Sequence, residues 1–300
     1  MDAPATARRM WTLFEPVHVV TYFSAEARGA FEQAGLRGFW RGYFAGRAAP
    51  MGPVGAAPVV SSFFVFAPGM VRRALPSVWD LIRPEEALRA RMAGAVAGIR
   101  RLTGIADGAA VPEPVREAAD LLTAATSDLD PAGRAIAASN TELPTPEEPV
   151  ARLWHAATLL REHRGDGHVA ALVAADIDGA EALVLRAGVD LAIEAGAPGH
   201  VGPGWRRDQM QPIRGWTEAE LDAAASRLSD RGLLDDRGVA TAAGLELHRD
   251  VEAATDLAAA RPWAELGPDR TDRLDEVLRP IAAACATGMP FPNPIGVPAP

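Results

Sequence analysis

Three hundred residues, 48% of them hydrophobic, are enough for one large or two ordinary domains with their own cores, so a disordered chain is not expected. A formal charge of −9 disfavours a general binder of nucleic acid or of anionic membrane, because both depend on neutralising negative charge with basic side chains. All 30 basic residues are arginine, which excludes Schiff-base chemistry, a phosphate-loop lysine and a lysine general base.

Alanine abundance and apolar residues at helical spacing predict a mainly α protein. Helices are expected over 5–14 and 17–34, separated by Pro16, and over 36–47, where Trp40, Tyr43, Phe44 and Arg47 recur three and four residues apart. After a proline-punctuated stretch ending in SSFFVFAPGMV, further helices are expected at 69–82, 84–102, 113–126 and 131–141. The acidic, proline-rich TELPTPEEPV at 141–150 reads as a linker, dividing the chain into an N-terminal helical domain (1–145) and a second domain (146–300).

The second domain is expected to hold a helix over 150–163, a turn at Gly165 to Gly167, and helices over 168–175 and 178–187. A Gly- and Pro-rich inserted loop is expected at 188–212. Thr217 and Glu220 form an N-terminal capping box for a helix reaching Arg231. Two short strands around a polar turn and a helix over 242–260 follow, and the tail PFPNPIGVPAP must lie extended against something or hang away from the fold.

Charge is unevenly distributed. Residues 1–105 carry 13 arginines against 7 acids, and the remainder carries 17 against 32, so an anionic small ligand is better received by the first half. Cys285 stands alone, which removes an intrachain disulfide and reads as a buried structural thiol. With no apolar run of 18 residues and no signal-peptide core at the N-terminus, the expected location is the cytoplasm, away from any membrane.

Helix, turn, helix and then RLSDRGLLDDRGVATAAG resembles the core of MarR-type regulators, a winged helix-turn-helix with a short β wing. The resemblance implies a homodimeric, ligand-responsive transcription factor whose third helix enters the major groove while the wing touches the backbone. Residues 214–250 depart from that pattern, with five arginines against eight acids and with Asp235 and Asp236 at the wing tip, where phosphate contact would be repulsive. The whole chain also resembles an actinobacterial family described only as helix-turn-helix. The matching blocks are FEPVHVVTYF (14–23), GFWRGYFAGRAAPMGPV (38–54), LWHAATLLREHRGDGHVAALV (153–173), RGWTEAEL (214–221) and PFPNPIGVP (290–298). This likeness implies that both domains and the tail work as one unit, and it supplies no reaction.

Two constellations carry the candidate chemistry. Glu162, His163, Asp166 and His168 place two imidazoles and two carboxylates within seven residues, the composition of an acid–base pair. The structural alternative has Asp166 as a cap, Glu162 in an arginine pair and the histidines packed. Metal ligation is the weaker branch, since His163 and His168 are five apart where a one-helix zinc site wants four. In the second constellation His18 and Tyr22, and Tyr43 and Arg47, are each four apart on a helix face. Either these residues and Trp40 are core, or they wall a pocket in which Arg47 clamps a carboxylate or phosphate. Arg214 and Trp216 either close that pocket with the tail or seal a domain junction. No motif names a cofactor. The reading is a small-molecule-binding protein on a repurposed winged-helix scaffold, holding an anionic or aromatic ligand, with acid–base catalysis left open; the alternative is the DNA-binding regulator.

Overall fold

The computed structural model describes residues 2–199, 206–291, 293 and 295–297, and among these the chain is mainly helical. Helix α1 (Ala3–Phe23) starts at Asp2, whose carboxylate accepts from the Ala5 amide, and it runs through Pro16 without ending. The break expected at Pro16 falls instead at Ser24, whose backbone is extended and whose hydroxyl accepts from the Ala27 amide to cap α2 (Ala25–Gln33). A proline inside a helix costs about 3 kcal/mol, and the burial of Leu13, Phe14, Val17 and Val20 around it offsets that cost.

Next come α3 (Phe39–Ala48), α4 (Ala56–Ser62) and α5 (Pro68–Ala74). The helix expected over 69–82 ends at Ala74 and continues only as a 3-10 turn at Ser77–Asp80, since Pro76 has no amide to donate. Helices α6 (Pro84–Leu102), α7 (Glu113–Ala125) and α8 (Ala135–Thr141) follow.

The central element is α9 (Pro149–Ala174), a single helix of 26 residues where two helices and a glycine turn are expected. Gly167 serves close packing rather than a turn: a Cβ there would lie 2.7 Å from Arg134 Nη1 and 3.2 Å from Ala258 Cβ. Asp166 does not cap its own helix. Its Oδ2 accepts from the Ile136 and Ala137 amides at 3.0 and 2.9 Å, capping α8 from a neighbouring helix.

Helix α10 (Gly179–Glu194) begins at an Asp178–Glu181 capping box and takes up part of the region expected to be loop. So does α11 (Arg207–Arg214). Helix α12 (Glu218–Asp230) has the expected Thr217–Glu220 box: the Glu220 amide donates to Thr217 Oγ1 at 3.3 Å and the Thr217 amide to Glu220 Oε2 at 2.8 Å. The two strands expected after it reduce to one antiparallel bridge, Leu234 to Ala240. Helices α13 (Ala242–Ala258), α14 (Arg261–Leu266) and α15 (Pro268–Ala286) complete the order.

One apolar core joins α1, α6, α7 and the first half of α9 to α14 and α15 around Phe14, Trp154, Trp263 and Leu278. A second gathers the aromatic residues of α3 to α5, and a third joins the end of α9 to α10, α12 and α13. The tail folds back on α1, with Met289 and Val297 against Val19. Asn293 holds it there by donating to the Val297 carbonyl at 2.7 Å and accepting from the Ile295 and Val297 amides.

Candidate functional site

A cavity of about 970 Å³, partly open to solvent, is lined by α1, α3, α9, α10, α11, α13 and the tail. On α9 its wall is the stripe Arg161, Arg164, His168 and Leu172, spaced three and four residues apart along one face. The seven residues from Arg161 to His168 rise about 10 Å, so the space is elongated, with chemically distinct ends.

At one end stand Tyr22, Tyr43, Trp40 and Phe66, with ring centroids 5.0 to 5.9 Å apart. Arg47 lies across the Phe63 ring at 4.0 Å and forks onto Glu162, Nε to Oε1 and Nη2 to Oε2, both at 3.0 Å. Its Nη1 donates to the Tyr43 hydroxyl at 3.2 Å. Arg161 adds a donor to Glu162 at 2.8 Å and reaches Glu15 at 3.4 Å. Burial would raise the Glu162 pKa, but Arg161 and Arg47 outweigh it and hold the carboxyl well below the usual range. Glu15, equally buried, is pushed up by its burial despite Arg161.

Behind this wall runs a chain whose proton directions follow from donor counting. Thr158 donates its hydroxyl to the Trp154 carbonyl at 2.9 Å, so its oxygen accepts from His18 Nδ1 at 2.9 Å. Burial, and then Arg161, press the His18 pKa well below 6.5, so the ring is neutral and Nε2 accepts from the Tyr22 hydroxyl at 3.0 Å. Tyr22 is itself kept protonated, its pKa raised by burial.

The other end repeats the device. Thr255 donates to the Val251 carbonyl at 2.7 Å and accepts from His168 Nδ1 at 2.9 Å, which leaves Nε2 of this cavity-lining ring as the acceptor. The His168 side chain retains 38% of its exposure, with Nδ1 3.9 Å from Glu252. Burial lowers its pKa, and also that of His248, whose Nε2 accepts from Arg186 at 3.0 Å. Arg186 pairs with Asp190 at 2.8 Å, Arg164 with Asp256 at 2.7 Å, and Arg8 with Asp256 at 2.9 Å and with Glu252.

Of the residues singled out from sequence, Tyr22, Trp40, Tyr43, Arg47, Arg214 and His168 line the cavity. His18 and Glu162 stand one layer behind, touching wall residues. Trp216 donates to the Val65 carbonyl at 2.9 Å and, with the Arg214 carbonyl accepting from the Ala67 amide at 2.8 Å, fixes the loop that presents Phe66. His163 and Asp166 point elsewhere, His163 beside Arg134 with its pKa lowered by burial to about 4, Asp166 into α8 with its pKa raised by burial to about 6. The quartet on α9 is therefore not one site: a continuous helix turns about 100° per residue and separates His163 from His168. Sequence reasoning did not find Arg8, Trp11 and Glu15, although with Tyr22 they form a stripe on α1, nor His248, Glu252 and Thr255 on α13. Their helical spacing was the available signal. Among the described residues, no cluster of three or more His, Cys, Asp or Glu is placed to hold a metal ion.

Fold and site together define a mainly helical protein with a deep pocket walled by arginine–carboxylate pairs and aromatic rings. The Helix-turn-helix family matches residues 7–292, nearly the whole chain, and the protein belongs to that family. No curated protein and no solved structure matches it. No helix among the described residues is long and apolar enough to cross a membrane.

Proposed function

We propose that the protein binds a small aromatic molecule in this cavity, on a helix-turn-helix scaffold that does not read DNA. The observation that carries the reading is the cavity itself, whose size lies within the range of ligand sites and whose aromatic end is flanked by arginines mostly held in carboxylate pairs. In this reading residues 1–145 and 146–300 contribute opposing walls, and the tail closes one side. The order α10, α12, bridged turn and α13 supports a MarR-like winged-helix assignment for the second half. Of the four acid–base candidates only His168 lines the space, so among them it is the one able to exchange a proton with a bound molecule.

Family membership favours the second reading, a dimeric DNA-binding regulator. Against it, the arginines that such a regulator would aim at a duplex are held by their own chain. Arg227 is bound to Asp178 and Glu181, Arg231 donates to the Asp176 and Ala175 carbonyls, and Arg237 pairs with Asp235. A groove-reading helix needs those guanidinium groups for base edges and phosphates.

Two measurements separate the readings. A panel of naphthalene derivatives should raise the melting temperature of the wild-type protein and leave Ala187→Phe, which fills the cavity from α10, unaffected. Gel shifts with the DNA flanking the coding sequence should show no complex at 50 mM salt, where phosphate contacts are strongest; retardation there would establish the regulator instead.

A further inference from the structure

Six arginines line the cavity, which suggests a receptor for anions, but their partners point the other way. Arg8, Arg47, Arg161, Arg164 and Arg186 are each held by at least one carboxylate at 3.0 Å or less. Arg214, over the Phe66 ring at 4.7 Å, has partners of its own. Five of the six guanidinium groups are therefore already engaged by carboxylates of the chain, and a carboxylate entering beside them would compete with a buried pair.

What the aromatic end does offer is a matched donor and acceptor. The Tyr22 proton is committed to His18, so the hydroxyl of this cavity-lining residue has only acceptor capacity left. The Tyr43 oxygen already accepts from Arg47, and its proton has no partner among the described residues, so this phenol is a donor. The two rings lie 5.0 Å apart, and no hydrogen bond joins their hydroxyls. A single ligand hydroxyl placed between them would accept from Tyr43 and donate to Tyr22. A carboxylate can only accept, and would meet the Tyr22 lone pairs. The surrounding Trp40, Phe66 and Phe39 give an aromatic body ring edges and faces to pack on.

We infer that the ligand is an uncharged, hydroxylated aromatic molecule whose hydroxyl bridges Tyr43 and Tyr22. At the far end, about 10 Å along α9, His168 Nε2 selects a second group able to donate a hydrogen bond. This class rests on the cavity being a ligand site, and it narrows the ligand from anionic or aromatic to neutral phenols and polyphenols.

The test compares three probes of similar size at pH 7, 2-naphthol, 2-methoxynaphthalene and 2-naphthoate, by tryptophan fluorescence and calorimetry on the full chain. The expected result is 2-naphthol binding at least tenfold more tightly than either of the others. In Tyr43→Phe the preference over 2-methoxynaphthalene should fall to within twofold, with the affinity for 2-methoxynaphthalene unchanged. Tyr22→Phe should behave alike, and because it also strands His18, the Tyr43 variant and the wild-type ranking decide if it does not fold. Tighter binding of 2-naphthoate would overturn the ligand class while leaving the cavity reading standing. Equal binding of the naphthol and its methyl ether would show that the two phenols do not select a hydroxyl. Failure of all three probes to bind, with wild type and Ala187→Phe indistinguishable, would overturn the cavity reading as well.

Discussion

Glu162 is 1% exposed and ionised, a state sustained only by Arg47 and Arg161. Because its pKa in the fold is depressed, its stabilising contribution is present above the ordinary carboxylate pKa and disappears as pH falls through the depressed value. Replacing Arg47 with Met removes two of the three strong bonds to this carboxylate and leaves a partly uncompensated buried charge. We expect a loss of about 3 to 5 kcal/mol in urea unfolding, against a smaller loss for Arg47→Lys, which keeps the charge without the fork. A loss below 1 kcal/mol for Arg47→Met would mean that Arg161 alone suffices. At this scale the sequence was half legible. The polar density from Arg161 to His168 marks residues that matter, and most of them are buried, yet Arg47, which forks onto Glu162, lies 115 residues away and no local pattern points to it.

Helix positions were legible where local chemistry decides them, as at the Thr217–Glu220 box, and illegible where packing overrides it, as at Pro16 and across Gly165 and Gly167. In each of these cases a residue that breaks an isolated helix sits inside a helix whose flanks are buried. Glycines on α6 show what such residues do instead. A Cβ on Gly94 would lie 2.5 Å from Ala27 Cα, and one on Gly98 2.6 Å from Val20, so the bare face of α6 lets α1 and α2 approach closely. Gly94→Ala gains up to about 1 kcal/mol of helix propensity but requires the α2 backbone to move, and overpacking of this kind costs about 1 to 3 kcal/mol. The net expectation is destabilisation. Gly29→Ala in α2, whose Cβ would meet nothing within 4 Å, should instead be neutral or stabilising by up to about 1 kcal/mol. Thermal unfolding of the two variants side by side checks the contrast, and equal shifts would remove the close-approach explanation.

Over the whole molecule, the sequence showed a basic first part and an acidic remainder; the fold converts that asymmetry into pairs between the two parts along the cavity wall, Arg47 to Glu162 and Arg8 to Asp256. The pairing could not be foreseen from net charge, because charge totals carry no register. Histidine shows the same collective character. Burial lowers the pKa of His18, His155, His163, His168 and His248, with Arg91 adding to the effect at His155 and Arg134 at His163. A base with a depressed pKa in the fold contributes stability that is complete above about 6.5, its unfolded value, and is lost as pH falls toward the folded value. For His155 and His163, both 3% exposed with folded values of about 4, the loss between pH 7 and pH 5 is about 2 kcal/mol each. Asp166 acts in the opposite sense. Its raised value of about 6 means that protonation below that pH favours the fold, returning about 1 kcal/mol over the same interval. The urea midpoint should therefore fall steeply from pH 7 to pH 5, with net proton uptake on unfolding. In His163→Gln the proton uptake measured from the slope of stability against pH should drop by about one near pH 5. A midpoint that holds constant to pH 5 would mean that these rings are already charged in the fold, and with that the neutral His18 that fixes Tyr22 as an acceptor would be lost.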